Sequence, residues 1–299
     1  MPQKIVKESP SSCATEEPEE ISNQHWITPD QARKHNEQIP LVDSKSTLRL
    51  ATFNLNRHRD FLDEPGLEEM MMSIEKINAT VICLQEVFLQ EKHDLIERLS
   101  PLGYVKLYWD MNERYKEKSS GNLIAVKAPH NEIYFNFIQT LKEYNIAAAD
   151  VTCNGWKIAV INVKLHKNNA SERQEQVAKI LKFLDRKAMP FYRFYVITGD
   201  FGEDSDGEST NMLRERDRVR EIFSALEWPK PISTRASGLC LGHILVSPRL
   251  ARCAKGAYLY YSVNSVHLAV LADFFIKDKH LWKPRKKIGD YVNKPTFIY

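Results

Sequence analysis

Short apolar runs, each stopping on a polar residue, recur along this chain. The sharpest is Tyr195-Val196-Ile197-Thr198-Gly199-Asp200-Phe201-Gly202. Three consecutive apolar side chains need both faces of a strand covered, which calls for a sheet packed on two sides. Gly199 permits a sharp turn where the strand stops. Asp200 is thereby held at the rim of the sheet, where a carboxylate meets solvent or a ligand. The loop that follows, Glu203-Asp204-Ser205-Asp206-Gly207-Glu208, is acidic and reads as a solvated turn.

Other segments stop in the same way. Residues 48–54 alternate apolar and polar, which predicts a strand with one buried face ending on Asn54. Residues 67–77 carry apolar side chains at helical spacing. Residues 80–84 predict a second buried strand, ending on Gln85-Glu86, with a helix over about 91–99 after it. Residues 121–126 form a further apolar run. Segments 145–151 and 157–163 flank Asn154-Gly155, a strong hairpin turn signal, and the second runs on to Lys164-Leu165-His166. An amphipathic helix is expected over 171–184 and another over 212–226. A strand over 239–246 passes through His243, and the last strand, 266–274, begins at His267. Many strands, few helices and polar residues gathered at strand ends predict two packed sheets with flanking helices and a site built at one rim.

The chain of 299 residues, 43% hydrophobic and 27% charged, has room for one large domain or two small ones. A formal net charge of +3 is too small to name a partner. No apolar run approaches the length of a membrane span, and no apolar block follows Lys4 and Lys7 as a secretory signal requires. The five cysteines are scattered, odd in number and without metal-ligand spacing. Reduced thiols in an intracellular protein, cytoplasmic or nuclear, are expected. Residues 1–46 read as an N-terminal extension, partly disordered because 10–20 is rich in Ser, Pro and Glu. Thr28-Pro29-Asp30 predicts a short capped helix within it. Residues 47–277 form the folded domain, and 278–299 a basic tail.

The polar residues on or near the strand ends are Asn54, Glu86, His166, Asp200, His243 and His267. Phosphoester hydrolysis with a hard metal uses such a set. A carboxylate such as Glu86 can hold Mg²⁺, which prefers oxygen ligands. A second, such as Asp200, can orient or deprotonate a water. Imidazolium groups can offset transition-state charge.

The order of these motifs resembles the endonuclease/exonuclease/phosphatase superfamily, the deoxyribonuclease I-like proteins. The matching pieces are Thr52-Phe53-Asn54, Leu84-Gln85-Glu86-Val87, Gly121-Asn122-Leu123-Ile124, and Leu165-His166 with Arg173 and Gln176 after it. Then follow Gly199-Asp200-Phe201, His243-Ile244-Leu245-Val246-Ser247 and the run from His267 to Phe274. The resemblance implies an α/β fold, a four-layered α/β sandwich in which two packed mixed sheets are flanked by helices. It implies Glu86 as the Mg²⁺ ligand, and Asn54, His166, Asp200 and His267 as catalytic residues. It also implies a phosphoester or nucleic acid as substrate or ligand, selected by the loops 57–65 and 111–120.

The departures from the family pattern are specific. Gly202 stands where the family usually has Asn, Gly242 where it has an Asp that pairs with the final His, and Val266 where it has a metal-binding Asp. Lys164-Leu165-His166 admits two registers. In one, His166 fills the family's histidine place; in the other that place is Lys164 and His166 has no role. Glu203, Asp204 and Asp206 are read as solvated, and Asp273 as too far along its strand to join the site. The expectation is a divergent member with a degraded metal site, weak or inactive as a hydrolase and acting by binding. The alternative is an active Mg²⁺-dependent phosphodiesterase or nuclease using Glu86 and Asp200.

Overall fold

The computed structural model describes residues 29–42, 47–55, 64–88, 91–110, 120–127, 135–138, 146–215, 218–228, 232–235, 238–262, 265–277 and 279. In chain order the elements begin α1 (Pro29–Asn36), β1 (Thr47–Asn54), α2 (Glu64–Ile77), β2 (Val81–Phe88), α3 (Lys92–Leu99), β3 (Tyr104–Asp110), β4 (Ser120–Lys127) and β5 (Phe135–Ile138). The hairpin β6 (Ile146–Cys153) and β7 (Trp156–Lys164) follows, then α4 (Ala170–Phe183), α5 (Met189–Phe191) and β8 (Phe194–Asp200). The last part is α6 (Glu208–Arg214), β9 (Arg220–Glu221), α7 (Ile222–Ala225), β10 (Gly242–Val246), α8 (Pro248–Ala251), β11 (Ala254–Tyr260) and β12 (Ala269–Phe275). The helix expected over 212–226 is split, because the chain extends at Arg220 and Glu221 to pair with β10. The loops 57–65 and 111–120 lie largely outside the described residues, as do 1–28 and most of the tail.

Two six-stranded mixed sheets form, in the orders β11-β12-β1-β2-β4-β3 and β5-β6-β7-β8-β10-β9. Three apolar clusters fill the spaces between four layers. One lies between the sheets, with Leu48, Leu50, Val160, Val196, Ile244 and Val270. A second joins the outer face of the first sheet to α2 and α3, through Phe53, Ile82, Ile74 and Leu95. A third joins the second sheet to α4 through Ile161, Ile197, Val177 and Ile180. This is the four-layered α/β sandwich that the family resemblance implies, built from the two packed sheets and flanking helices that the strand pattern predicts.

Strand alternation then decides what reaches the site. In β1, Leu48 and Leu50 face the other sheet, so Thr52 and Asn54 do too. The same parity in β7 and β8 turns Asn162, Lys164, Thr198 and Asp200 inward. β1 is buried along both faces rather than one, because α2 covers Ala51 and Phe53 on the outside.

The N-terminal extension is not wholly separate from the domain. The helix predicted from Thr28-Pro29-Asp30 is present as α1, and it docks on β11. His35 Nε2 lies 3.0 Å from the Leu259 carbonyl, and Asn36 exchanges two bonds with the Tyr261 backbone, at 2.8 and 2.9 Å. Arg49 Nη2 donates to the Pro40 carbonyl at 2.8 Å. Because the composition of 10–20 offers no core, deleting residues 1–27 is expected to leave the melting temperature unchanged. Deleting 1–41 removes these bonds and should cost about 2–4 kcal/mol, at roughly 1 kcal/mol each. Thermal melts of the two truncations check this, and equal stability would mean that α1 is not anchored.

Candidate functional site

The site lies where β1, β2, β7 and β8 end together. β2 carries a bulge there: its pairing with β4 shifts register between Leu84 and Val87. Glu86, inside the bulge, has φ of +58°, a left-handed conformation uncommon for a residue with a side chain. Such local strain costs on the order of 1–3 kcal/mol and persists only where surroundings enforce it. Its effect is to re-aim Glu86, which is 3% exposed, towards the ends of β7 and β8. Gly199 serves the same end on β8. At its φ of +143°, a Cβ would stand 1.9 Å from the Val163 carbonyl oxygen, so only glycine lets β8 approach β7 this closely.

Four polar side chains meet here. β7 and β8 are parallel with Lys164 opposite Asp200. The Lys164 ammonium lies 2.8 Å from Glu86 Oε1 and 2.6 Å from Asp200 Oδ2. Asn54 Nδ2 donates to the same two oxygens, at 2.8 and 2.6 Å. The other Asp200 oxygen accepts the Gly202 backbone N–H at 2.9 Å. Burial alone would push the Asp200 carboxyl up, but the charge of Lys164, with lesser contributions, holds it below the ordinary range. Burial would likewise lower Lys164, yet Asp200 and Glu86 together hold it above the usual lysine value. The cluster is therefore two carboxylates and one ammonium, with a net charge of one negative.

His267 lies beside this cluster at the start of the last strand. Ser265 anchors it: its Oγ donates to the Asn54 carbonyl at 2.8 Å and accepts the His267 backbone N–H at 3.0 Å. Burial pushes His267 down to about 4, with Asp200 only partly opposing this. The imidazole is thus neutral at pH 7, and of the two cationic influences on Asp200 that of Lys164 is the larger and persists there.

The structure brings together Asn54, Glu86, Asp200 and His267. It puts His166 elsewhere. Its Nδ1 accepts the backbone N–H groups of Asn168 and Asn169, and its Nε2 lies 3.6 Å from Glu172. These are contacts to the N-cap and first turn of α4, and the residue that enters the cluster is Lys164. Arg173 and Gln176 on α4 hold this loop, Arg173 through the His166 and Lys167 carbonyls and Gln176 through the His166 N–H. His243 lies on the opposite face of its sheet, against Phe201 at 5.0 Å between ring centroids. Glu203, expected in a solvated loop, is instead half of a partly buried pair. It accepts from Arg173 Nε at 3.1 Å and from the Thr210 N–H at the start of α6.

Sequence reasoning gave no role to Gln85 and Asn162. Gln85 Nε2 donates to Thr52 Oγ1, the Cys83 carbonyl and Asn162 Oδ1; Asn162 Nδ2 donates to the Leu84 and Leu123 carbonyls. This buried network ties the two sheets directly beneath the carboxylates. The signal was available: Asn162 is a lone amide inside the apolar run of β7, and such a group is buried only with its bonds satisfied.

His243 allows a pH test. It is fully buried, and that burial pushes it down to about 4, with Arg214, Cys240, Glu203 and Asp200 around it. A depressed imidazole stabilises the fold above its unfolded value of about 6.5, and that stability is lost as pH falls towards the folded value. Denaturant unfolding between pH 6.5 and 4 should therefore weaken by about 1.4 kcal/mol per pH unit for this one proton. His243→Phe, beside Phe201, should flatten the slope by that amount. His267, depressed to a similar value, should leave a residual slope in this variant, and a slope unchanged from the wild type would mean that His243 takes no part in the acid sensitivity.

Two mixed sheets facing each other between helices, with a carboxylate pair at the rim where the central strands end, define a deoxyribonuclease I-like protein. The model of the Endonuclease/Exonuclease/phosphatase family matches residues 51–267, and the chain belongs to that family. No curated protein matches in a sequence comparison. Among solved structures, the human Nocturnin catalytic domain with bound sulfate aligns at TM-score 0.63 and 16% identity, covering 80% of this chain and 98% of that one. ANGEL2, described as a 2′,3′-cyclic phosphatase, aligns at 0.61 and 15%, covering 78% and 96%. A humanized D. rerio TDP2 aligns at 0.60 and 17%, covering 76% and 98%. At these identities the likeness is one of fold.

Proposed function

We propose that this chain is a non-catalytic member of its family, in which a lysine of the chain itself takes the place of the metal and the protein acts by binding. The observation that carries this reading is the Lys164 ammonium bonded to both Glu86 and Asp200. Mg²⁺ requires near-octahedral oxygen ligation at about 2.0–2.1 Å. The facing oxygens of both carboxylates are already shared by an ammonium and an amide, and a divalent ion there would stand against the lysine's positive charge. Val266, Gly242 and Gly202 offer no further side-chain oxygen. Among the described residues no three His, Cys, Asp or Glu side chains converge as a metal-binding group. The residues present do not fit the ion, so no hydrolytic step is assigned through it.

What is bound is inferred at the level of class. One D. rerio TDP2 structure contains a single-strand DNA product, and ANGEL2 is described with a cyclic phosphate substrate class. A phosphoester or nucleic acid is accordingly the ligand class for the rim of this chain. We assign residues 47–277 to the family domain and 278–299 to a basic tail. Residues 29–42 belong to the domain's surface, and 1–28 to an extension. No described helix is long and apolar enough to cross a membrane. Cys83, Cys153, Cys240 and Cys253 are free thiols, which supports a reducing compartment, cytoplasmic or nuclear.

The test is hydrolysis of generic phosphodiesters, including oligonucleotides, with Mg²⁺ or Mn²⁺. Wild-type protein is expected to turn over no faster than Glu86→Gln. Metal-dependent turnover by the wild type, abolished by Glu86→Gln and by Asp200→Asn, would overturn the reading and restore the hydrolase.

A further inference from the structure

A second concave site lies at the other end of the sandwich. It is an open cavity of about 320 Å³ lined by the first residues of β7 and β8, the α8 turn, the start of β11 and the chain leaving β12. The carboxylate cluster sits at the far ends of β7 and β8. At about 3.3 Å per residue, the length of these strands separates the two sites by roughly 20 Å or more. The basic cavity and the carboxylate site are therefore independent of one another.

The lining is one-signed. Arg193, Arg249, Arg252, Lys255 and Lys277 surround the cavity, and none of its described lining residues is a carboxylate. Arg193 is pulled below its ordinary value, by burial first and then by the charge of Arg249. Its guanidinium lies 4.9 Å from the Trp156 ring centre, and Lys279 Nζ lies 5.6 Å from the same ring. The indole therefore already carries two cations. The rim is also built in advance. Asn154 Nδ2 donates to the Ile276 carbonyl at 2.6 Å, and Trp156 Nε1 to the Lys277 carbonyl at 3.0 Å. The Lys279 backbone N–H donates to the Asn154 carbonyl at 3.0 Å, which closes the β6–β7 hairpin onto the departing chain.

Like charges gathered around a preformed cavity repel one another, and a bound anion recovers that cost. Guanidinium groups pair phosphate bidentately, and an ammonium serves it as a point charge. The cavity falls at the small end of the range for small-molecule sites, about 300–1,000 Å³. A single nucleic-acid strand would need a free aromatic face for its bases, and Trp156 already bears Arg193 and Lys279. We propose that this pocket binds a small ligand carrying two or more phosphate groups.

Inorganic tripolyphosphate, titrated calorimetrically into the full chain, is the probe. Saturable binding at a single site is expected. Arg252→Gln/Lys255→Gln, which changes two side chains of the cavity wall, should weaken it at least about tenfold. Lys34→Gln on α1, which docks at the end of β11 remote from Lys255, should leave it unchanged. Thermal melts of the double variant without ligand establish that it folds. Three results would overturn the proposal. The first is no saturable binding, or equal binding by the double variant. The second is sulfate binding as tightly at matched ionic strength, which would mean simple screening. The third is a thymidine oligonucleotide binding more tightly than tripolyphosphate with the same sensitivity to the double variant, which would make this a nucleic-acid surface.

Discussion

Lys164→Met is expected to lose about 3–5 kcal/mol of unfolding free energy at neutral pH, and to recover part of it in Mg²⁺ where the wild type does not. Methionine keeps the aliphatic stem and removes only the charge. What remains is two buried carboxylates whose facing oxygens both accept from the Asn54 amide. Breaking a buried ion pair from one side is costly because the other charge stays buried. Here two such charges also repel, so one of them should take up a proton in the variant. The deficit should accordingly be largest at high pH and shrink as pH falls and a carboxylate is neutralised.

The metal response separates two explanations of the same loss. With the ammonium gone, the pair presents oxygens no longer held by a cation, and Mg²⁺ at ten times its dissociation constant would return about 1.4 kcal/mol. The wild type should show no such dependence. Denaturant melts of both proteins across Mg²⁺ concentrations measure it. A wild type that is stabilised by Mg²⁺ as strongly as the variant would show that Lys164 does not hold the metal's place. A variant as stable as the wild type would show that the ammonium is not the charge that balances the site. Restoring hydrolysis would require more than this one change. Gly202 has φ of +65°, and a Cβ there would lie 2.9 Å from the His166 carbonyl oxygen, so the family's Asn needs a loop shift as well.

The sandwich was readable from sequence because it rests on parity. Strands that bury both faces between layers show as apolar runs, and their last inward positions must be polar where the core stops. Asn54 and Asp200 are such positions, whereas Glu86 reaches the site only through the bulge of β2. The hairpin at Asn154-Gly155 was readable for a local reason, since both residues adopt positive φ. The choice between Lys164 and His166 was not readable. Both share the same strand parity, and what separates them is where β7 stops, a tertiary fact fixed by Lys164 standing opposite Asp200. Likewise the acidic composition of 203–208 said nothing of Arg173, which comes from α4 to take up Glu203. The docking of α1 depends on backbone groups at the end of β11, and backbone groups leave no mark in a side-chain pattern.

Arg49 and Asp273 were hidden in the same way. Each looks like the solvated face of a strand, yet β1 and β12 pair them directly and α2 covers that face. Arg49 donates to both oxygens of Asp273, at 2.7 and 2.8 Å, and to the carbonyls of Ile77 and Pro40. The two side chains are 2% and 9% exposed, so solvent screens the pair little. Asp273→Asn should therefore cost about 3–5 kcal/mol, since the guanidinium stays buried without its counter-charge. Removing both charges should behave differently. Arg49→Met/Asp273→Leu replaces the pair with apolar volume, and such replacements are neutral or stabilise by about 1–4 kcal/mol. Denaturant unfolding of Arg49→Met, Asp273→Leu and the double completes the cycle and isolates the coupling. A cost below about 1 kcal/mol for Asp273→Asn would place the pair among screened surface pairs. The Pro40 bond adds a second reading. If Arg49 fastens the N-terminal segment, deleting 1–41 should cost less in the Arg49→Met/Asp273→Leu background than in the wild type, because one of the bonds lost by truncation is already absent there.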